Sequence, residues 1–267
     1  MQAKKASKYV SHQPDASGVV HYPAVDNETW RILIERQLEV IEGRACQRYI
    51  DGIAQLGFPK DRIPQLHEVN EVLEAATGWG VQQVPAIIPA EEFFILLANK
   101  RFPAATFIRT REDLNYIKEP DIFHELFGHA PLLTCQRYAD FMEAYAKQAL
   151  RVSGKERLHL FRLFWFTIEF GLFKQPDGMK VYGGGILSSK GETEYSVGLE
   201  SGAIWKPLDP LEALRTPYRI DVMQPVYFYI ESFDELFNLI DLDLVALVRE
   251  AQALGDYDMP NNEAMVC

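Results

Sequence analysis

Asp121-Ile-Phe-His-Glu-Leu-Phe-Gly-His129 carries two histidines five residues apart inside an apolar, helix-like run. Neutral imidazole suits iron, and two imidazoles with one carboxylate make the ligand set of non-haem Fe(II) oxygenases, which leaves coordination positions open. On a regular helix a spacing of five turns the second side chain ~140° away from the first. His124 and His129 therefore converge only if the helix distorts or ends between them, and Gly128 tolerates the unusual dihedrals this requires. The spacing excludes the zinc-hydrolase pattern His-Glu-x-x-His, because position 128 is Gly. A carboxylate to complete the set stands downstream in Phe164-Trp-Phe-Thr-Ile-Glu-Phe-Gly171. Glu169 sits there among rings and aliphatic side chains, where an ionised acid is costly unless it is paired or metal-bound. Ordinary alternatives exist for each residue. The histidines could be plain core or surface residues, and Glu169 could form a buried salt bridge with Arg162 or another arginine. Glu125, next to His124, reads either as a partner that orients a ligand or cofactor or as a solvated helix acid. His12, His21, His67 and His159 lie in no comparable pattern.

The chain has 267 residues, enough for one large domain or two small ones, with 48% hydrophobic and 24% charged residues. That is the composition of a globular protein. A formal charge of −11 argues against nucleic acid and anionic membrane as partners. Cys46, Cys135 and Cys267 are few, odd in number and scattered. They suggest reduced thiols and a cytoplasmic setting rather than a disulfide framework or a zinc cluster. The start, Met1 to Tyr9, is basic but lacks a following apolar segment, so no signal peptide is expected. The most apolar stretch, 158–173, is broken by Arg162 and Glu169 and is too short to span a bilayer.

Residues 1–25 read as an irregular arm and 26–267 as a single, mainly helical domain with a few short strands (α+β). Helical spacing runs from about Asn27 to Ile53, with Gly57 as terminator, and again from Gln65 to Ala76. Pro89 opens a further helix, and 103–109 reads as a strand. Asn115 to Pro120 is a polar connection, followed by helices over 121–135, 139–152 and 155–173. Gly183-Gly-Gly185 forms a turn, 220–222 and 226–229 are short strands, and a last helix covers 232–254. The three glycines lack the Gly-Lys-Ser/Thr pattern of a phosphate loop.

The sequence resembles the aromatic amino acid hydroxylases. The resemblance rests on Asp121 to Pro131, Trp165 to Leu172, Tyr182-Gly-Gly-Gly-Ile-Leu-Ser-Ser189, Gln224-Pro-Val-Tyr227 and Glu231-Ser-Phe233, spanning roughly residues 85–235. It implies iron held by His124, His129 and Glu169, with tetrahydrobiopterin or a related tetrahydropterin as co-substrate and O2 as oxidant. It implies a pterin site with Phe93 as the stacking ring (Phe94 is its neighbour) and with Glu125 and Phe164 beside it. Arg109 matches the arginine that holds the amino acid carboxylate, for which a planar guanidinium is well shaped. The resemblance implies that Trp165, Ser188 and Gly185 line the amino acid pocket, and Asp121 reads as a helix N-cap. Pro103, Phe164 and Tyr229 occupy positions where members of the family differ. The implied reaction is para-hydroxylation of L-phenylalanine to L-tyrosine. The same chemistry on tryptophan, a metal-dependent hydrolase and a non-catalytic pterin-binding protein are the alternatives. The chain has no room for the regulatory domain or oligomerisation helix of the animal enzymes, so a monomer or weak dimer is expected.

Overall fold

The computed structural model describes residues 9–115 and 117–258. The basic start at residues 1–8, Tyr116 in the polar connection, and Cys267 lie outside these. Helix α1 (Ala24–Ile41) forms because Trp30, Leu33, Ile34, Gln37 and Ile41 recur on one face, each 1% exposed or less. Burying the apolar ones contributes ~1.5–3 kcal/mol each, and the Gln37 amide donates to Leu187 O and Thr193 Oγ1. The predicted run from Asn27 to Ile53 is not continuous. Gly43 adopts φ 69°, and the backbone of Arg44 and Cys46 pairs with Val181 at 2.8 and 2.9 Å. Helix resumes as α2 (Gln47–Leu56) and stops at Gly57. α3 (Leu66–Thr77) starts at a capping box between Gln65 and Glu68.

Two parallel strands, β1 (Gly80–Val84) and β2 (Arg101–Ala105), flank α4 (Ala90–Ala98). β1 has no counterpart among the expected strands, and β2 begins two residues before the strand expected over 103–109. The chain then enters a π-helix, His124–His129, that continues into α5 (Ala130–Leu133). α6 (Gln136–Ala149) and α7 (Gly154–Phe164) follow, the latter capped by Ser153 and Glu156. The helix expected to reach residue 173 stops early: a second π-segment, Trp165–Glu169, closes with Phe170 N–H donating to the Trp165 carbonyl at 2.9 Å.

A four-stranded sheet comes next, in the order β4 (Gly178–Val181), β3 (Leu172–Gln175), β6 (Val226–Ile230), β5 (Ile204–Pro207). β3 runs antiparallel to β4 and parallel to β6, and β5 is parallel to β6. The predicted glycine turn is instead the start of α8 (Gly184–Leu187), followed by α9 (Lys190–Ser196). α10 (Pro210–Arg215) precedes a loop that includes 220–222, where a strand was expected. The Gln224 side chain bonds the Arg219 and Val222 carbonyls at 2.7 and 3.3 Å, groups that a sheet partner would otherwise have to satisfy. The expected last helix is two, α11 (Phe233–Phe237) and α12 (Leu244–Leu254), because a 3₁₀ turn and a new cap at Asp243 interrupt it. Among the described residues no helix is long and apolar enough to cross a membrane.

Candidate metal centre and substrate cavity

The π-helix answers the spacing problem. Its hydrogen bonds reach five residues instead of four, so side chains five apart come close to the same face. His124 Nε2 and His129 Nε2 lie 3.2 Å apart. The second π-segment ends on Glu169, whose Oε1 is 3.2 Å from His129 Nε2 and whose Oε2 is 3.7 Å from His124 Nε2. One ligand atom from each residue falls within 4.8 Å of the others, and the group can hold a metal ion. Three donors at right angles, each ~2.1 Å from one ion, would stand ~3 Å from one another. The donors present therefore fit a facially bound iron.

Protonation suits that role. Burial, reinforced by the neighbouring His129, lowers His124 to about 4 and keeps its imidazole neutral, although Glu169 pulls the other way. Burial pushes Glu169 up, but the two histidines and the Gly185 N–H outweigh it and hold the acid below its ordinary value. Metal binding needs neutral imidazole and ionised carboxylate. His124 Nδ1 lies 2.9 Å from Ser188 Oγ, which orients the ring with Nε2 toward the centre. Phe102 stacks on His129 at 4.6 Å between centroids.

The glycine run packs on the ligands. A Cβ on Gly184 would stand 2.5 Å from His129 Cε1, and one on Gly185 would stand 2.9 Å from Glu169 Oε2. Only residues without a side chain let α8 approach this closely.

A cavity of about 590 Å³ opens beside the centre, the size of a small-molecule site. His124, Glu125, Glu169, Phe93, Arg109, Trp165, Gly185 and Ser188 all line it. Phe94 does not: it is fully buried in the core, which leaves Phe93 as the ring facing the cavity. Phe164 does not reach the cavity either. Its ring is fully buried and turned toward Phe94 and Tyr145, and Phe161, three residues earlier on α7, takes the lining position. Glu125 is 7% exposed, and burial together with the nearby Glu169 and Asp121 raises it well above the usual carboxyl range.

Asp121 does more than cap the helix. One oxygen accepts from His124 N at 3.0 Å and Arg109 Nη2 at 2.8 Å, and the other from Arg109 N and Nε at 2.9 and 2.8 Å. Burial raises its pKa, but the Arg109 charge and these bonds overcome that and hold it low. Arg109 thus spends its Nε side on Asp121 while its guanidinium borders the cavity. A ligand carboxylate would use the remaining N–H groups at the tip. The sequence analysis missed Phe102, Phe161, Phe170, Glu192 and Gln224, all of which line the cavity. For Glu192 the signal present, Ser189-x-x-Glu192, is a helix-start pattern, and Ser189 does cap α9. It says nothing of a carboxylate turned to the cavity.

The chain belongs to the biopterin-dependent aromatic amino acid hydroxylases, whose family model matches residues 1–245. It is similar to a phenylalanine-4-hydroxylase of Pseudomonas aeruginosa, at 55% identity over 94% of this chain and 95% of that protein. The fold is shared with the cold-active phenylalanine hydroxylase of Colwellia psychrerythraea 34H: TM-score 0.91, 47% identity, 94% of this chain and 97% of that one. It is shared equally with the phenylalanine hydroxylase of Legionella pneumophila, at TM-score 0.90 and 50% identity over 94% of this chain and 99% of that one. A structure of the Chromobacterium violaceum phenylalanine hydroxylase with bound Fe(III), 39% identical over 92% of this chain and 90% of that one, matches at TM-score 0.86.

Proposed function

We propose that this chain is a monooxygenase that converts L-phenylalanine to L-tyrosine with O2 and a tetrahydropterin, on Fe(II) held by His124, His129 and Glu169. The observation that carries the reading is the convergence of two imidazoles and one carboxylate on one point at the wall of the cavity. Names of relatives at 55% and 44% identity support phenylalanine as substrate. When bound, iron and pterin supply the activation of O2, one oxygen atom going to the ring and the other to the pterin. The residues of the chain do the rest. The Arg109 guanidinium receives the amino acid carboxylate, with Asp121 fixing its plane. Trp165, Gly185 and Ser188 wall the amino acid pocket, Phe93 offers its face to the pterin, and Glu125 presents its carboxyl beside it. Apolar lining from Phe102, Phe161 and Phe170 keeps water from the reacting atoms.

Residues 26–267 act as one catalytic unit after an arm at 1–25, in a monomer or weak dimer working in the cytoplasm. Free thiols at Cys46 and Cys135 support a reducing setting. The decisive experiment is anaerobic reconstitution with Fe(II), then addition of phenylalanine, tetrahydropterin and O2, with tyrosine as product and with tyrosine and tryptophan tried as rival substrates. His124→Ala and Glu169→Ala should lose both iron and turnover. Full iron content in both variants refutes the ligand assignment.

A further inference from the structure

Glu192 and Gln224 line the cavity, are 8% and 2% exposed, and have no part in the roles above. They form the start of a hydrogen-bonded chain. One Glu192 oxygen accepts from the Gln224 backbone N–H at 3.1 Å and from the Tyr227 hydroxyl. The Gln224 side-chain amide donates to the Arg219 and Val222 carbonyls. That pairing points its oxygen the other way, where it accepts from Trp165 Nε1 at 3.3 Å. Trp165 itself stacks on Phe170 at 4.4 Å and 28°, and on Tyr218 at 4.4 Å and 21°. Stacking fixes the plane of an indole but leaves it free to slide and rotate within that plane. A directional bond at Nε1 removes this remaining freedom.

We propose that Glu192 and Gln224 are positioning residues for the aromatic substrate: through Trp165 they fix the lateral placement of the pocket wall, and with it the ring carbon that faces the metal centre. The inference rests on the reading that Trp165 borders the amino acid pocket. It concerns residues that make no hydrogen bond to His124, His129 or Glu169, so their loss leaves iron binding intact. What it alters is where the ring sits when oxygen arrives, and the fraction of cofactor oxidation that ends in para-hydroxylation.

The test uses the iron-loaded chain and reads three quantities: calorimetric Kd for phenylalanine, tyrosine formed per tetrahydropterin oxidised, and the ratio of meta- to para-tyrosine. Glu192→Ala and Gln224→Leu should keep iron, raise Kd about three- to tenfold, lower the tyrosine yield and release some meta-tyrosine. Glu192→Gln should restore wild-type values, since its amide oxygen accepts the same two bonds. Trp165→Phe removes the Nε1–H while keeping a ring. Combined with Gln224→Leu it should do no more harm than either change alone. Wild-type yield, Kd and regiochemistry in Glu192→Ala and Gln224→Leu overturn the proposal, and so do additive effects in the double variant. If Gln224→Leu fails to fold, Trp165→Phe carries the test by itself, and wild-type values there overturn it. Trp165→Ala separates the two levels. An unchanged phenylalanine Kd in that variant removes the pocket reading and the inference together. A weakened Kd in Trp165→Ala beside wild-type Gln224→Leu and Trp165→Phe removes the inference alone.

Discussion

Replacing Gly184 with Ala adds one methyl group at a crowded point of the metal centre. Its Cβ would stand 2.5 Å from Cε1, 2.6 Å from Nδ1 and 2.9 Å from Nε2 of His129. Comfortable separations are ~3.5–4.0 Å, so imidazole and α8 must part by roughly 1 Å. Phe102 stacks on the imidazole and limits how far it can retreat, and Gly184 O lies against Gly128, where even a Cβ would be 2.6 Å away. Overpacking of this kind costs ~1–3 kcal/mol. Borne by the ligand geometry, that is a roughly five- to 150-fold loss of Fe(II) affinity. The assay is competition for Fe(II) against a chelator of known affinity, with thermal unfolding of the metal-free protein recorded in parallel. Gly154→Ala is the control, since a Cβ there meets nothing within 4 Å, and its affinity should equal that of the unaltered protein. Unaltered iron affinity in Gly184→Ala would show that His129 is not held where the close approach of α8 puts it, and the reasoning would fail.

Removing Asp121 by D121A leaves the Arg109 charge buried without its partner. It should cost ~3–5 kcal/mol in denaturant unfolding and raise the KM for phenylalanine. A KM equal to that of the unaltered protein would detach Arg109 from the substrate. The low folded-state pKa of Asp121 also implies stability that is full above its unfolded value and declines as pH falls through the folded value. In D121A the acid limb of a stability-against-pH curve should flatten. Glu192 has the opposite sign. Burial raises it from 4.5 to about 7 against the pull of Tyr227 and Gln224, so its contribution is full below pH 4.5 and disappears as pH rises through about 7. Glu192→Gln should therefore flatten the unfolding free energy over that interval, and an unchanged slope would contradict the shift.

The ligand set was legible because its residue types and spacing are unusual. A spacing of five on a helix demands distortion, and the π-helix at His124–His129 is that distortion. The second π-segment left no trace in the sequence. Apart from Arg162, Thr167 and Glu169, Phe161 to Phe170 is apolar, so its period carries no information about where the turn widens. The break after Ile41 was equally hidden, because the carbonyl that replaces the helical bond of Cys46 comes from Val181, far along the chain. β1 was missed since Gln82 and Gln83 give it no alternation, and it exists by pairing with β2. Phe161 and Phe164 show the same limit at the site. Both are phenylalanines on one helix that pack on Phe94, and the contact of Phe164 with Tyr145 is what sets them apart.

The four bonds converging on Asp121 give the catalytic chamber a single datum. The guanidinium that borders the cavity and the peptide that begins the first histidine-bearing turn are both registered to the same two oxygen atoms. The guanidinium and the first imidazole therefore cannot drift independently. Thermal motion that displaces one carries the other along, and the span between them is maintained by one buried carboxylate.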